Sequence, residues 1–494
     1  MILLKLDRRD KVPLHEQITL QIQRLIEQGS LPLGSALSPT RVLATQLGVH
    51  RTTVCRAYEE LWALGYIEGR PGSYTRVRAR PALARRDEKA GRGILHWESR
   101  VSAPSQAALE FCLGYDVGPP PGGSLPAIDF RPIEVDPRLI PVDTFRRCLN
   151  AVLHREGAGI LRYPPYAGYP PLRRSIAQRL QVHGIAITEE EVLITNGSQH
   201  GLDLVLRLLT QPGAVAAVEA PTYSLMLPLL RLHQVRPLEV PMLRDGMDLE
   251  FLQRALEHNA VSFVYTMPNF QNPTGISTAQ AHRERLLALC EHHGVPLVED
   301  GFEEEMKYFG RVALPIKSMD GNQIVIYLGT FSKVLMPGVR IGWVVAHREC
   351  VQRLMAIRRI ADLSTGAPLQ AGLEEFCRAG FYDLHLRRLH RVFRKRMQVT
   401  LSALREHMPR DGVTWTEPEG GYLLWVELPD SRKTCAEVFE HLGRRGVAVC
   451  PGHQFFAAPP TYPCFRLCVA TLDEAQIVEG VRRLGLGLKE LLIH

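Results

Sequence analysis

Four side chains in the second half of the chain have complementary chemistry, and each follows a short apolar run. Lys333 carries an amine that can form a Schiff base with an aldehyde cofactor. Asp300 can keep a pyridinium nitrogen protonated, which lets the ring act as an electron sink. Asn272 can donate to a ring phenolate, and Tyr223 can stack on the ring. Together these groups predict a site for a ring-bearing aldehyde.

A second group of residues suits a phosphate. Gly197 and Ser198 open a predicted helix, and small residues at a helix N-terminus leave backbone amides free to hold an anion. Hydroxyl and guanidinium groups follow a later apolar run, at Thr330, Ser332 and Arg340. The predicted ligand is therefore a phosphorylated aldehyde.

The elements that must position these groups are short apolar strands alternating with helices. Such runs indicate a mostly parallel sheet covered on both faces, with ligands beyond the carboxyl ends of the strands. The predicted strands are Val192–Ile194, Val215–Val218, Val261–Tyr265, Pro296–Val298, Ile324–Leu328 and Trp343–Val345.

Each residue alone has an ordinary structural explanation, because most lysines lie on the surface and a strand-end aspartate usually caps a helix. The conjunction is specific: Asn-Pro-Thr-Gly, then Glu-Asp after a strand, then Ser-Lys-x-x-x-Pro-Gly-x-Arg-x-Gly. From about Ile128 to the C-terminus this order closely resembles the fold-type I aminotransferases, which bind pyridoxal 5'-phosphate (PLP).

The resemblance assigns a role to each position. It implies that Lys333 is the cofactor lysine, Asp300 the partner of the pyridine nitrogen, Asn272 the partner of the ring hydroxyl, Tyr223 the stacking aromatic and Arg340 the phosphate arginine. It also implies a mostly parallel α/β domain with a smaller α+β C-terminal subdomain.

Two further residues and one departure follow from the resemblance. Tyr163 resembles a tyrosine that reaches the phosphate of the neighbouring subunit, which implies a homodimer. Arg466 resembles the arginine that grips a substrate carboxylate in a bidentate way. Phe302 stands where relatives usually have a tyrosine, and a phenyl ring cannot donate a hydrogen bond. This departure therefore weakens the case for an efficient enzyme more than the case for cofactor binding.

The N-terminal part of the chain is basic. Residues 1–80 contain twelve Lys and Arg against seven Asp and Glu, which is +5 of the net +7. A small basic module ahead of a large near-neutral body favours an anion-binding head, with nucleic acid as the leading ligand. A merely solvated basic surface explains the charge equally well.

The pattern of this head predicts three helices and a wing. Apolar spacing indicates helices from Leu14 to about Gly29, over Arg41–Gln46 and from Arg51 to Leu64, and then two short strands joined by a turn. A recognition helix presents its N-terminal residues to bases and phosphates. The candidate DNA contacts are Arg41, Arg51, Thr52, Thr53, Arg56 and Arg70. A helical bundle without a ligand is the alternative.

The ordered set of head motifs closely resembles the winged helix-turn-helix of GntR-type bacterial regulators. It includes Leu47-Gly48-Val49, Arg51-Thr52-Thr53-Val54 and Gly65-Tyr66-Ile67. Two departures are Ser38 ahead of Pro39, where that family usually has proline directly after the leucine, and His50, where it more often has Ser or Asn.

The boundaries follow from composition. We expect a DNA-binding head at 1–78, a Pro- and Gly-rich linker at 79–127 with a short helix around Ser105–Leu113, and a PLP-binding and dimerisation domain at 128–494.

No apolar run is long enough to cross a membrane, so we expect a cytoplasmic protein. Ten cysteines without a C-x-x-C pair predict reduced thiols and no metal site.

A GntR-like head fused to an aminotransferase-like body resembles the MocR subgroup of transcriptional regulators. That resemblance implies binding of double-stranded DNA and sensing of PLP, an amino acid or an amine through a Schiff base at Lys333. The alternative is a working aminotransferase with an auxiliary or vestigial head. Enzyme activity is thus uncertain, with at most a half-reaction or weak transamination expected from a regulator.

Overall fold

The computed structural model describes residues 4–69, 74–78, 97–115, 128–302, 305–310 and 313–493. The chain forms two compact units, Met1–Arg100 and Val101–His494. Each unit has its own hydrophobic core. Within the described residues, no helix combines the length and the apolar composition needed to cross a bilayer.

The first unit is a three-helix bundle with a small wing. Its helices are α1 (Leu14–Glu27), α2 (Thr40–Leu47) and α3 (Arg51–Ala63), and its antiparallel strands are β1 (Ile67–Glu68) and β2 (Arg76–Val77). The predicted apolar faces of the helices converge on one core, which includes Ile18, Ile22, Leu43, Val54 and Leu61. The winged helix-turn-helix prediction is confirmed, although the turn of the wing lies outside the described residues.

The second unit contains the remaining helices and strands of the described residues. The helices are α4 (Ala103–Tyr115), α5 (Val142–Glu156), α6 (Pro170–Val182), α7 (Ser198–Leu209), α8 (Met226–Leu232), α9 (Leu249–His258), α10 (Gln280–His293), α11 (Arg348–Ala361), α12 (Ala367–Arg378), α13 (Phe381–His407), α14 (Cys435–Arg444) and α15 (Glu474–Ile493). The strands are β3 (Ile128–Asp129), β4 (Val192–Thr195), β5 (Val215–Ala220), β6 (Arg236–Leu243), β7 (Gly246–Met247), β8 (Val261–Thr266), β9 (Leu297–Asp300), β10 (Val325–Thr330), β11 (Gly342–Val345), β12 (Thr414–Trp415), β13 (Leu423–Glu427), β14 (Val447–Ala448), β15 (Cys450–Pro451) and β16 (Cys464–Cys468).

The large sheet of this unit has the strand order β4-β11-β10-β9-β8-β5-β6-β7. Strands β10, β9, β8, β5 and β6 run parallel, whereas β11 is antiparallel to both of its neighbours. Strands β4, β8, β9 and β10 therefore end at the same edge of the sheet. The polar residues that follow those strands meet at that edge.

The C-terminal part of the unit is the smaller subdomain. Strands β12, β13, β16 and β15 form an antiparallel sheet, and helices α13 and α15 pack against each other beside it. This confirms the predicted fold class, an α/β fold of the aminotransferase type with a smaller α+β subdomain.

All six predicted strands are present, but the sequence analysis missed β6. This strand is partly exposed along its length and carries Pro237 and Pro241. It lies near the edge of the sheet, where proline is tolerated, and it therefore lacks the continuous apolar run of the buried strands.

The segment predicted as a linker contains one described helix. Helix α4 includes the predicted Ser105–Leu113 and belongs to the second unit, where it packs against α8. Residues 79–96 and 116–127 lie outside the described residues.

Candidate functional site

A cleft of about 700 Å³ lies between the edge of the large sheet and the smaller subdomain. Its walls bring together three of the predicted site residues, Tyr223, Lys333 and Arg466. Arg131 and His453, which sequence reasoning did not single out, also line it. The cleft therefore joins a lysine, an aromatic ring and an arginine that are far apart in the sequence.

Lys333 and Asp300 lie at the ends of neighbouring strands. The Nζ atom of Lys333 donates to the backbone oxygen of Ile133 at 3.0 Å, which holds the half-buried amine at the cleft. Asp300 is buried, and its burial raises its pKa to about 6, although the positive charge of Lys333 acts in the opposite direction. The ammonium of Lys333 is thus close enough to Asp300 for its charge to favour the carboxylate.

Asn272 and Arg466 contact each other across the cleft. The Nη1 atom of Arg466 donates to Oδ1 of Asn272 at 3.0 Å, and its Nη2 donates to the backbone oxygen of Arg131 at 2.9 Å. A guanidinium can only donate, so the amide of Asn272 is fixed with its NH₂ group as the remaining donor. That is the group that a ring phenolate requires.

Arg466 retains binding capacity. It is buried, its guanidinium lies 5.1 Å from the centroid of the Phe455 ring, and its Nε finds no hydrogen-bond partner among the described residues. A buried donor without a partner costs free energy unless a ligand accepts from it. Arg466 can therefore donate hydrogen bonds to the carboxylate of a molecule bound in the cleft.

The predicted phosphate residues form one cradle. Gly197 has φ 83°, and Ser198 begins α7, so the first amides of this helix are open at the cradle. Arg340 donates to Oγ of Ser332 at 3.3 Å and to the backbone oxygen of Asn196 at 3.2 Å. Oγ1 of Thr330 accepts from the amide of Ser332 at 3.1 Å.

Close backbone packing shapes this cradle. A Cβ on Gly342 would lie 2.7 Å from the backbone of Gly197 and Ser198. A Cβ on Gly197 would lie 2.5 Å from Nη2 of Arg340. Only glycine therefore fits at either position without moving the groups that surround an anion.

Two residues named in the sequence analysis, Tyr163 and Phe302, do not line the cleft. Tyr163 follows a 3-10 helix at Gly157–Leu161 and is 86% exposed. The side chain of Phe302 is buried and carries no polar group.

Sequence reasoning missed a buried tyrosine beside Asp300. The hydroxyl of Tyr265 donates to Oδ2 of Asp300 at 2.9 Å, and both side chains are buried. The available signal was a tyrosine at the end of the apolar run before Asn-Pro-Thr-Gly, which we interpreted only as strand. A second missed group is Glu219, which accepts from Thr266, Met267 and Gln271 and so anchors the loop that carries Asn272.

The first unit presents a polar surface at the start of α3. Arg51, Thr52 and Arg56 are exposed, and Thr53 is half-buried. His50 caps the helix, because its Nδ1 lies 3.4 Å from the amide nitrogen of Thr52 and accepts from it. The imidazole thus replaces the Ser or Asn expected at this position. Arg41 is exposed on α2, and Arg70 lies outside the described residues.

Comparison with known proteins identifies both parts. The model of aminotransferase class I and II matches residues 140–484, and the model of the bacterial regulatory proteins of the gntR family matches residues 14–77. The probable rhizopine catabolism regulatory protein MocR of Rhizobium meliloti is 30% identical over 98% of this chain and 95% of its own length.

This chain belongs to the MocR-type regulators. Its body also belongs to the aminotransferase class I and II family. The aromatic-amino-acid aminotransferase 1 of Thermococcus litoralis is 35% identical over 72% of this chain and 86% of its own length. The structure of LysN, the alpha-aminoadipate aminotransferase of Thermus thermophilus, is 34% identical and superposes with a TM-score of 0.73, covering 81% of this chain and 100% of that one.

The family's cofactor is PLP, and the residues of this MocR-type chain fit it. Oδ1 of Asp300 is buried and makes no hydrogen bond of normal geometry to any described residue, so it suits a pyridinium nitrogen. The backbone of Gly197 lies against the guanidinium of Arg340, and Ser198 begins α7, so a positive charge and the start of a helix meet there, as a phosphate requires. The amine of Lys333 lies at the same cleft.

Proposed function

We propose that this chain is a PLP-dependent transcriptional regulator that binds double-stranded DNA through its head and an amino compound in its cleft. The observation that carries the proposal is that one chain presents an exposed basic first turn of α3 together with residues that suit PLP, among them Lys333, Asp300 and Arg340. A protein that only transaminates has no use for Arg51, Thr52 and Arg56 on the surface of a winged helix-turn-helix.

PLP would supply an aldehyde that exchanges amines and a ring that withdraws electrons. In this proposal the Nζ of Lys333 would hold the aldehyde group of PLP. The carboxylate of Asp300 keeps the ring nitrogen protonated, and the NH₂ of Asn272 donates to the ring oxygen. Tyr223 stacks on the ring, while Gly197, Ser198, Thr330, Ser332 and Arg340 hold the phosphate.

Arg466 supports an effector that carries a carboxylate. Two of its nitrogens hold Asn272 and the backbone of Arg131, so this arginine is rigid before a ligand arrives. A bidentate contact with a carboxylate combines charge and geometry, which favours amino acids over simple amines. We therefore propose an amino acid, or another amine with a carboxylate, as effector.

A homodimer completes the proposal. In it, Tyr163 reaches the phosphate of the neighbouring subunit, and the head (1–78), linker (79–127) and body (128–494) place two DNA-binding modules on one assembly. Two weak modules gain affinity through effective concentration, and a change of geometry removes that gain. The heads contact DNA through Arg41, Arg51, Thr52, Thr53, Arg56 and Arg70.

The test is fluorescence anisotropy of the full chain on labelled DNA from upstream of its own gene, with and without PLP at fixed salt. We expect tight binding that competitor DNA does not remove and that changes with PLP.

We expect Arg51→Ala to weaken DNA binding roughly tenfold or more without changing the absorbance of bound PLP. Arg24→Ala, an exposed arginine on α1, is the matched control. Equal losses in both variants, or no specific binding, would contradict the proposal.

A working aminotransferase is the second candidate, because Lys333, Asp300 and Arg466 line or adjoin one cleft. Repeated turnover with an amino donor and a keto acceptor would favour it. The phenyl ring of Phe302 cannot donate to the ring oxygen, so we expect turnover to be slow even if a half-reaction occurs.

A further inference from the structure

Two cysteines of the smaller subdomain share one packed cluster. Cys435 is the first residue of α14, and Cys464 is the first residue of β16. The Sγ atom of Cys435 lies 4.0 Å from the backbone oxygen of Tyr462, and His453 lines the same surface cleft as Cys435. Both cysteines pack into one small cluster with Trp425 and Phe455.

The two thiols differ in their electrostatics. The hydrogen bond from Cys464, together with His453, lowers the pKa of the Cys435 thiol. The position of Cys435 at a helix N-terminus acts in the same direction. The contact with Cys435 and burial raise the pKa of Cys464. These directions favour Cys435 over Cys464 as the ionised thiol.

The two thiols also differ in access. Cys435 is half-buried and, with His453, lines a surface cleft of about 410 Å³ between residues 431–436 and 459–463. Cys464 is buried behind it. A small solute therefore meets Cys435 first.

We propose that Cys435 and Cys464 form an oxidisable dithiol site, with Cys435 as the nucleophile, Cys464 as the resolving thiol and a peroxide as the oxidant. This inference goes beyond the proposed function and does not depend on it. No metal explains the cluster, since no three His, Cys, Asp or Glu side chains in the described part of the chain are arranged to hold an ion.

The chemistry balances with hydrogen peroxide. The Cys435 thiolate attacks one peroxide oxygen, the O–O bond breaks, and the leaving hydroxide takes a proton from solvent to become water. Cys435 is then a sulfenic acid. The sulfur of Cys464 attacks the sulfur of Cys435, the S–O bond breaks, and the thiol proton leaves with the oxygen as a second water. Two thiols lose two electrons, and one peroxide becomes two waters.

The site lies beside the cleft already described. Ala436, next to Cys435, and His453 line that cleft together with Lys333 and Arg466. Cys464 and Arg466 are two residues apart on β16 and so point to the same face of the sheet. A disulfide would join the first turn of α14 to the strand that carries Arg466.

The test uses the full chain with Cys112→Ser, which removes the exposed thiol of α4. After treatment with hydrogen peroxide and blocking with N-ethylmaleimide, non-reducing peptide mapping should show a Cys435–Cys464 crosslink that dithiothreitol reverses. Cys464→Ser should leave a Cys435 sulfenic acid that dimedone traps. Cys350→Ser is the matched control, because Cys350 is half-buried and burial raises its pKa to about 11.

Reaction rates give an independent check that needs no variant. At pH 6, iodoacetamide should modify Cys435 at least tenfold faster than Cys55, a half-buried thiol of the head. Free Cys435 and Cys464 after peroxide treatment, or equal alkylation rates at pH 6, would overturn the proposal.

Discussion

The hydroxyl of Tyr265 donates to Oδ2 of Asp300 at 2.9 Å, while Oδ1 of the same carboxylate is buried and makes no hydrogen bond of normal geometry within the described residues. One oxygen is thus held by the protein, and the other is left for a ligand. The register explains the contact, because Tyr265 on β8 pairs with Val298 on β9 and Asp300 lies two residues further along the same face.

Tyr265→Phe should weaken PLP binding in a pH-dependent way. Burial raises the pKa of Asp300 to about 6, and the Tyr265 hydrogen bond opposes that rise. Without the hydroxyl the pKa rises further, so less carboxylate is ionised near pH 7. We expect roughly tenfold weaker PLP binding at pH 7 and a smaller difference at pH 9, measured by absorbance titration. Tyr382→Phe, whose hydroxyl donates to Glu305 instead, should show no such pH dependence.

Lys333→Ala should abolish the visible absorbance that PLP acquires on joining an amine. The chain should stay folded and keep its oligomeric state, since the Lys333 side chain is only half-buried and its amine donates to the backbone oxygen of Ile133. Absorbance and size-exclusion chromatography check both points. Lys307→Ala, which removes a lysine paired with Glu419, should keep the band. A band that survives in Lys333→Ala would refute the assignment.

Gly342→Ala should weaken PLP binding through its phosphate. The added Cβ would lie 2.7 Å from the backbone of Gly197 and Ser198, so the start of α7 must move. Gly338→Ala is the matched control, because nothing lies within 4 Å of a Cβ at that position. We expect a loss of at least tenfold in PLP affinity for Gly342→Ala and little change for Gly338→Ala. Similar affinities would show that the cradle does not hold the phosphate.

Arg466→Ala should remove the preference for carboxylates. In the parent protein, amino acids should perturb the spectrum of bound PLP at lower concentration than the matching decarboxylated amines. The variant should respond to both alike, with a loss of roughly a hundredfold for amino acids. Arg466→Lys should not restore the preference, because an ammonium cannot form the two parallel hydrogen bonds.

Asp136 should control the acid stability of the body. Burial raises the pKa of Asp136, but hydrogen bonds from Arg138 and Arg396 outweigh burial and lower this pKa to about 2. The pKa of this carboxyl is lower in the folded state than the value of about 4 in the unfolded state. Its ionised form therefore stabilises the fold at pH values above about 4, and this stabilisation is lost as the pH falls toward 2.

Substitution tests the same ion pair at neutral pH. Asp136→Asn leaves the guanidinium of Arg396 buried without its counter-charge, which should lower the free energy of unfolding by about 3–5 kcal/mol. Asp143→Asn, whose side chain is 87% exposed beside Arg146, should change it by less than about 1 kcal/mol. Urea unfolding monitored on the body transition distinguishes the two.

Much of the fold and of the candidate site was predictable, because the signals are local. Apolar runs marked the buried strands, and helix patterns marked the head. The polar residues directly after each run, such as Lys333 and Asp300, had to gather at one edge once the strands were parallel. The partly exposed β6 was missed because an exposed strand with prolines has no continuous apolar signal.

The sequence by itself determined the order of modules, the strand ends and the chemical types that meet there. Only the tertiary structure decided the partners. Arg466 and Asn272 are 194 residues apart in the chain, yet their side chains meet. Tyr265 reaches Asp300 because β8 and β9 are neighbours, and Cys435 packs against the cluster that contains Cys464, although the two are far apart in the sequence. Local patterns encode which residues form a strand or helix, but partner choice depends on which elements become neighbours, and the packing of the whole core sets that.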